Sequence, residues 1–287
     1  MQPKKNLAFL TLLLCAVYSI QAQSPDPVKV TVWYKFRFMN DTTARTEFTN
    51  ESMILQIGEK LSAYQSYNGY KMDSSFNARS SSGQNIVVSG GTISGGSIVS
   101  AGPITTEKQF TILAKNQLWS LNRVFITQYL VDESVKRPEW TITGETKEIG
   151  GIACQKATAR VKGRDYAAWF APELPYSLGP WKLNNLPGLI LEASDSKGEV
   201  HFELEKISTA PTNATIELPS KPSQVTLAEY LKVKAAYDAD PEGFRRANAP
   251  PPPPGMSISN ITVSGSPMRG ASTVKPIVFN NKLEKEN

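Results

Sequence analysis

From Val28 to Phe38 the chain alternates: Val28, Val30, Val32, Tyr34, Phe36 and Phe38 share one parity, Lys29, Thr31, Lys35 and Arg37 the other. A helix would scatter those apolar groups around its surface, whereas an extended strand puts them all on one face. The segment reads as a long strand with one buried side, and the folded chain must supply a core to cover it. Ala157, Ala159 and Val161 repeat the pattern against Thr158, Arg160 and Lys162, and Lys162-Gly163 reads as a tight turn into Tyr166–Phe170. Leu189–Ala193 and Val200–Ile207 form a second expected hairpin through Ser194–Gly198. Met53–Ile57, Phe110–Leu113 and Val124–Leu130 read as further strands, and Gly150-Gly151 as a turn or bulge after Trp140–Thr143. Strands joined by short turns, without helices between them, imply an antiparallel meander. The expected fold is mainly β: a single antiparallel sheet, strongly curved or a half-barrel, with a C-terminal helix and a Pro-rich tail.

Two segments depart from this pattern. Residues 80–103 are rich in Ser and Gly and read as a flexible insertion in the β domain. After residue 219, Thr226 and Glu229 form a capping box for a helix through Ala228, Leu231 and Ala235, which Pro241 and Gly243 are expected to end. Pro250–Pro254 is a polyproline run. The remainder to Asn287 is polar, and is expected to be disordered and removable from about residue 245.

The start of the chain carries Lys4 and Lys5, an apolar run from Leu7 to Ile20, and a small residue, Ala22. That is the layout of a secretion signal, with cleavage between Ala22 and Gln23. A retained anchor would need about 20 predominantly apolar residues, and this run is shorter. Cys15 lies too deep in the run to become a lipidated first residue. The expected organisation is therefore a signal peptide over 1–22, a β domain over 23–219, and a helix with a Pro-rich tail over 220–287. Of the two cysteines, only Cys154 remains after cleavage, so a hydrophobic core and no internal disulfide must hold the fold. The formal charge of +5 falls to +3 with the loss of Lys4 and Lys5, too weak and dispersed for nucleic-acid binding. No later apolar stretch is long enough to span a bilayer. The expected location is the periplasm or the outer cell envelope.

Catalytic inventory is thin. Cys154 as a nucleophile would need a base, and the only histidine, His201, alternates with Val200 and Phe202 on what reads as a solvated face. Cys154 therefore reads as a small packing residue. No metal site, phosphate loop or nucleophile elbow is expected, and no cofactor. The densest stretch is Ala168–Asp195, where Pro172 and Pro175 end a strand and Pro187-Gly188 suits a type II turn with positive φ at the glycine. Trp169, Tyr176, Trp181, Leu186 and Leu189 either plug one end of the core or line a mouth. Trp169, Trp181, Leu186, Pro187, Gly188 and Leu189 are the candidate binding residues.

Leu186-Pro187-Gly188-Leu189-Ile190, after Gly179-Pro180-Trp181-Lys182, resembles the hallmark of the GLPGLI family of Bacteroidetes. Trp140, Ile152–Ala157, Ala168-Trp169-Phe170 and the acidic segment at Glu173 are similar too, so the resemblance spans roughly residues 28–210. Asn185 departs from it, standing where the first motif glycine belongs. The resemblance implies an exported envelope protein and brings no catalytic residues with it. The expected function is a non-enzymatic binding or carrier module for an apolar ligand, a peptide or lipid, or an envelope protein. A structural accessory to an outer-membrane complex is the alternative, and a hydrolase using Glu173, Glu192 or Asp195 a weaker one.

Overall fold

The computed structural model describes residues 25–43, 45, 48–81, 87–89, 92–94, 105–133, 137–209, 213–249 and 283. The expected signal peptide with its Ala22/Gln23 cleavage, and the Pro250–Pro254 run, lie outside the described residues.

The strands, in chain order, are β1 (Asp26–Pro27), β2 (Val30–Met39), β3 (Phe48–Ile57), β4 (Leu61–Ser66), β5 (Val87–Ser89), β6 (Thr92–Ser94), β7 (Lys108–Ile112) and β8 (Gln117–Val124). They continue with β9 (Thr127–Asp132), β10 (Thr141–Ile149), β11 (Ile152–Val161), β12 (Arg164–Ala171), β13 (Leu189–Asp195), β14 (Val200–Ser208), β15 (Thr215–Ile216) and β16 (Ser223–Thr226). The helices are α1 (Tyr67–Ser81), α2 (Leu227–Ala239) and α3 (Pro241–Asn248). One sheet of 12 strands dominates, in the order β10-β11-β12-β13-β14-β2-β3-β4-β7-β8-β9-β16. All its pairs are antiparallel except β16 with β9. The protein is mainly β, as the alternation implies. The sheet is open, ending at β10 and β16, and is not closed or strongly curled, so the expected strong curvature or half-barrel is not what forms.

The hairpins that glycine marks fold as read. Gly150 and Gly151 (φ 59° and 81°) join β10 to β11, and Lys162 and Gly163 (φ 47° and 75°) join β11 to β12. Both central residues are left-handed, the geometry that matches strand twist. Three elements differ from the expectation. The strand expected over Val124–Leu130 is broken by a turn at Phe125-Ile126, with Phe125 at φ 55°, because β8 and β9 pair with each other across it. Helix α1 precedes the Ser/Gly-rich insertion, its first turn capped by Ser66 Oγ, which accepts from Gly69 N at 3.2 Å. Within 80–103 the described residues are the end of α1 and the β5–β6 hairpin, which pairs only with itself.

At the C-terminal side, β16 adds Ser223–Thr226 to the sheet before the helix begins. The capping box forms: Thr226 Oγ1 accepts from Glu229 N at 3.3 Å, and Glu229 Oε2 accepts from Thr226 N at 2.8 Å. Pro241 opens α3 where it was expected only to end a helix, since a missing N–H costs nothing at a helix start. Of the residues beyond 249, Leu283 is described. Leu283 packs against the main core, and its carbonyl accepts from Arg164 Nε at 3.1 Å.

The sheet buries different faces along its length. In β2 and β3, Val32, Tyr34, Leu55 and Ile57 join Ala157, Phe170, Leu189 and Phe202 in the larger core. Around β4, β7, β8 and β9 the opposite face is apolar, and Leu61, Ala63, Phe110, Leu121 and Leu130 form a second core with Val28 and Ile216. Among the described residues, no helix is long and apolar enough to cross a membrane.

Candidate functional site

Between β12 and β13 the chain leaves the sheet for residues 172–188. Pro172 cannot donate to a ladder, so β12 stops at Ala171. The segment then doubles back on itself. Leu189 N donates to Leu174 O at 3.0 Å, Ile190 N to Leu178 O at 2.9 Å, and Asn185 N to Ser177 O at 3.2 Å. Leu178, Trp181, Leu183 and Leu186 are buried in the larger core, and the Trp181 ring lies 6.3 Å from that of Tyr166. Pro172, Glu173, Pro175, Ser177, Asn185 and Pro187 stay exposed and form its outer rim.

Polar groups lock this segment down. Lys182 and Glu133 are both buried, and Lys182 Nζ donates to Glu133 Oε1 at 2.7 Å. Lys162 Nζ reaches the other oxygen at 3.1 Å, and Ser120 Oγ donates to Oε1 at 3.1 Å. Burial by itself would raise the Glu133 carboxyl, but the two lysines outweigh it and hold the group below the ordinary glutamate value. Trp140 Nε1 donates to Asn184 O at 2.7 Å, and Asn185 Nδ2 to Pro138 O at 3.1 Å.

The backbone here is strained, though not where the sequence suggests. Trp181 (φ 52°) and Asn185 (φ 72°) are left-handed. For a bulky residue that conformation costs about 1–2 kcal/mol and persists only when its surroundings enforce it. Gly188 is outside the left-handed region, which corrects the expected type II turn. Its need for glycine is spatial, because a Cβ there would lie 2.3 Å from Ala171 O. Asn185 takes its positive φ as a residue type that tolerates this conformation better than most.

Of the candidate binding residues, Trp181, Leu186, Gly188 and Leu189 are buried and Pro187 is exposed. Trp169 alternates with the core residues Ala168 and Phe170, and so points to the other face of the sheet. There it is half-buried, with Lys147 Nζ and Lys156 Nζ 4.6 Å and 5.8 Å from its ring centroid. Trp169 also touches the larger core that holds Trp181, but its ring lies by Lys147 and Lys156 whereas that of Trp181 lies by Tyr166.

Cys154 is buried, and by register it shares a side of the sheet with His201, but it lies on β11 and His201 on β14, with β12 and β13 between them. Burial first, then the Glu192 and Glu173 charges, push the Cys154 thiol up to about 11, with Lys147 opposing. At neutral pH it is a thiol, not the nucleophilic thiolate. The carboxylates are dispersed: Glu192 pairs with Lys147, and Glu173 is exposed. Asp195 is buried, taking Arg164 Nη1 at 2.7 Å while its other oxygen accepts from Glu199 N at 2.7 Å. Among the described residues no group of three or more His, Cys, Asp or Glu side chains is placed to hold a metal ion.

Sequence reasoning missed Glu133, Lys182 and Arg164 as structural centres. Lys182 stood in plain view, a cation inside the apolar run Leu178–Leu186, but nothing local names its partner 49 residues away.

No protein-family model and no curated protein sequence matches the chain. Its fold is similar to that of PNGF-II in two crystal forms. The P21 form shares 13% identity at a TM-score of 0.47, and the C2 form 12% at 0.48. In each case 71% of this chain aligns with 32% of PNGF-II, so the chain spans about a third of that protein's length.

Proposed function

We propose that this chain is an exported cell-envelope protein of GLPGLI type that binds a partner and catalyses no reaction, with the exposed rim of residues 172–188 as its recognition surface. The observation that carries this reading is the way the rim is held. Irregular backbone with left-handed Trp181 and Asn185 is clamped by buried side chains and the Lys182–Glu133 pair. Such rigidity lowers the ordering cost of binding, and strain of this kind gathers where a surface must keep one shape. Because the protein's own side chains leave only a water-sized space beneath this segment, a peptide or an envelope protein suits it better than an enclosed apolar passenger. The outward Pro172, Pro175 and Pro187 offer stiff, low-entropy contacts.

The test is purification of the full chain from its native envelope, beside a Pro175→Asp/Pro187→Asp variant, followed by mass spectrometry of what accompanies each. The expected result is a peptide or protein that accompanies the native chain and is lost from a variant with an unchanged melting temperature. A partner retained by the folded variant would remove the rim from the reading. A lipid passenger would favour the carrier, and a stoichiometric membrane protein the accessory role.

A further inference from the structure

Beneath residues 178–184 the face of the sheet changes character. In register across β3, β4, β7 and β8, Leu55 is followed by Tyr64, Gln109 and Ser120. A small cavity lies between this polar row and the segment above, lined by Tyr64, Gln109, Ser62, Leu178, Trp181 and Asn184 among others. Its room for the centre of a water molecule is about 10 Å³, about what one water needs.

Among the described residues, three polar atoms of this cavity's lining residues have no hydrogen-bond partner: the Tyr64 hydroxyl, Gln109 Oε1 and Asn184 Oδ1. Their residues are 5%, 3% and 9% exposed, so bulk solvent does not satisfy them. The Gln109 amide is oriented by its nitrogen, which donates to Glu107 Oε1 at 2.5 Å and leaves the oxygen free to accept. Tyr64 remains protonated, because burial and then the neighbouring Tyr34, Glu51 and Glu107 push its phenol well above the usual value. The unpaired groups are thus one hydroxyl, able to donate or accept, and two acceptors, with the Ser62 and Thr111 residues also in the lining.

We propose that this cavity is a binding site for a single structural water, which accepts from the Tyr64 hydroxyl and donates its two hydrogens to Gln109 Oε1 and Asn184 Oδ1. Three bonds is the usual complement of a buried water, and such a molecule is costly to remove. The match is specific. No carboxylate lines the cavity to balance an ammonium or a metal cation, so a neutral guest fits it better. The water ties β4 and β7 to Asn184, whose carbonyl also holds Trp140, and so belongs to the apparatus that fixes the rim. The site does not depend on the binding role proposed above.

A high-resolution crystal structure of the full chain decides the matter, since such structures show ordered bridging waters. The expected result is a solvent peak within hydrogen-bond distance of all three oxygens. A dry cavity, or direct pairing of the three side chains, would overturn the proposal. In solution, oxygen-17 relaxation dispersion should count one fewer long-lived water in a folded Tyr64→Phe/Gln109→Met variant. An unchanged count would also overturn it, and should the variant not fold, the native crystal structure decides alone.

Discussion

The two halves of the sheet use opposite faces. From β11 to β3 the larger core fills one face, while Lys156, Trp169, Glu192 and Arg37 occupy the other. From β4 to β9 the first face turns to Ser62, Tyr64, Gln109, Thr111 and Ser120, and the second becomes apolar with Leu61, Ala63, Phe110 and Leu121. Alternation in a strand therefore shows that one side is buried, but not which side of the sheet that will be. The segment over residues 172–188 covers the junction, and its own composition matches. Leu183 and Leu186 pack in the apolar half, Lys182 and Asn184 meet the polar one, and Trp181 touches both. This join gives the segment its rigidity.

The largest expected effects test whether the two cores carry equal weight. Phe202→Ala in the larger core should cost about 3–5 kcal/mol, and Phe110→Ala in the smaller one the low end of that range. Urea melts compare them, and an equal loss would mean that both halves are held alike. Next is the ionic latch in the polar half. Glu133→Gln leaves Lys182 buried without its counter-charge and should cost about 3 kcal/mol. The Glu133 carboxyl titrates below a free glutamate, so its contribution is complete above about pH 4.3. It is lost as pH falls through the lower folded value, and the variant's melts should lack that acid-dependent part. At the junction, Gly188→Ala should cost about 1–3 kcal/mol by forcing a Cβ into the Ala171 carbonyl, read from the same melts. Smallest is Cys154→Ser, at about 1–2 kcal/mol for a hydroxyl placed in the core. With its thiol near 11, native Cys154 should also resist alkylation at pH 8, and fast labelling of the folded protein would contradict its placement.

Much of the sheet was legible because its turns are chemically marked. Gly150-Gly151 and Lys162-Gly163 announce left-handed turns, and the β2 parity is nearly perfect. The Phe125-Ile126 turn was hidden because two large apolar residues occupy it, with Ile126 left 56% exposed at the tip. Helix α1 lacks an apolar stripe, so periodicity had nothing to detect. The segment over 172–188 stood out through its prolines and tryptophans. The partners that lock it could not be read, because Glu133, Pro138 and Trp140 reach it only through tertiary packing. The same holds for Leu283, whose seat beside Arg164 is set by contacts more than a hundred residues apart.

The position of β2 has a consequence for how the chain reaches this structure. Strands β2, β3, β4, β7, β8 and β9 follow one another as neighbours, and so do β10 to β14. Each run can assemble from local contacts as it is synthesised. The seam between them pairs Phe38 with Val200, so the first long strand keeps one flank open until β14 has been made. Closing so wide a loop is entropically slow, and topologies with such distant pairings fold late. During that interval β2 presents ten residues of unpaired backbone beside Val32, Tyr34 and Phe36. Joining two finished halves along this seam is then the slow step, and the open flank of β2 is where premature association between chains would begin.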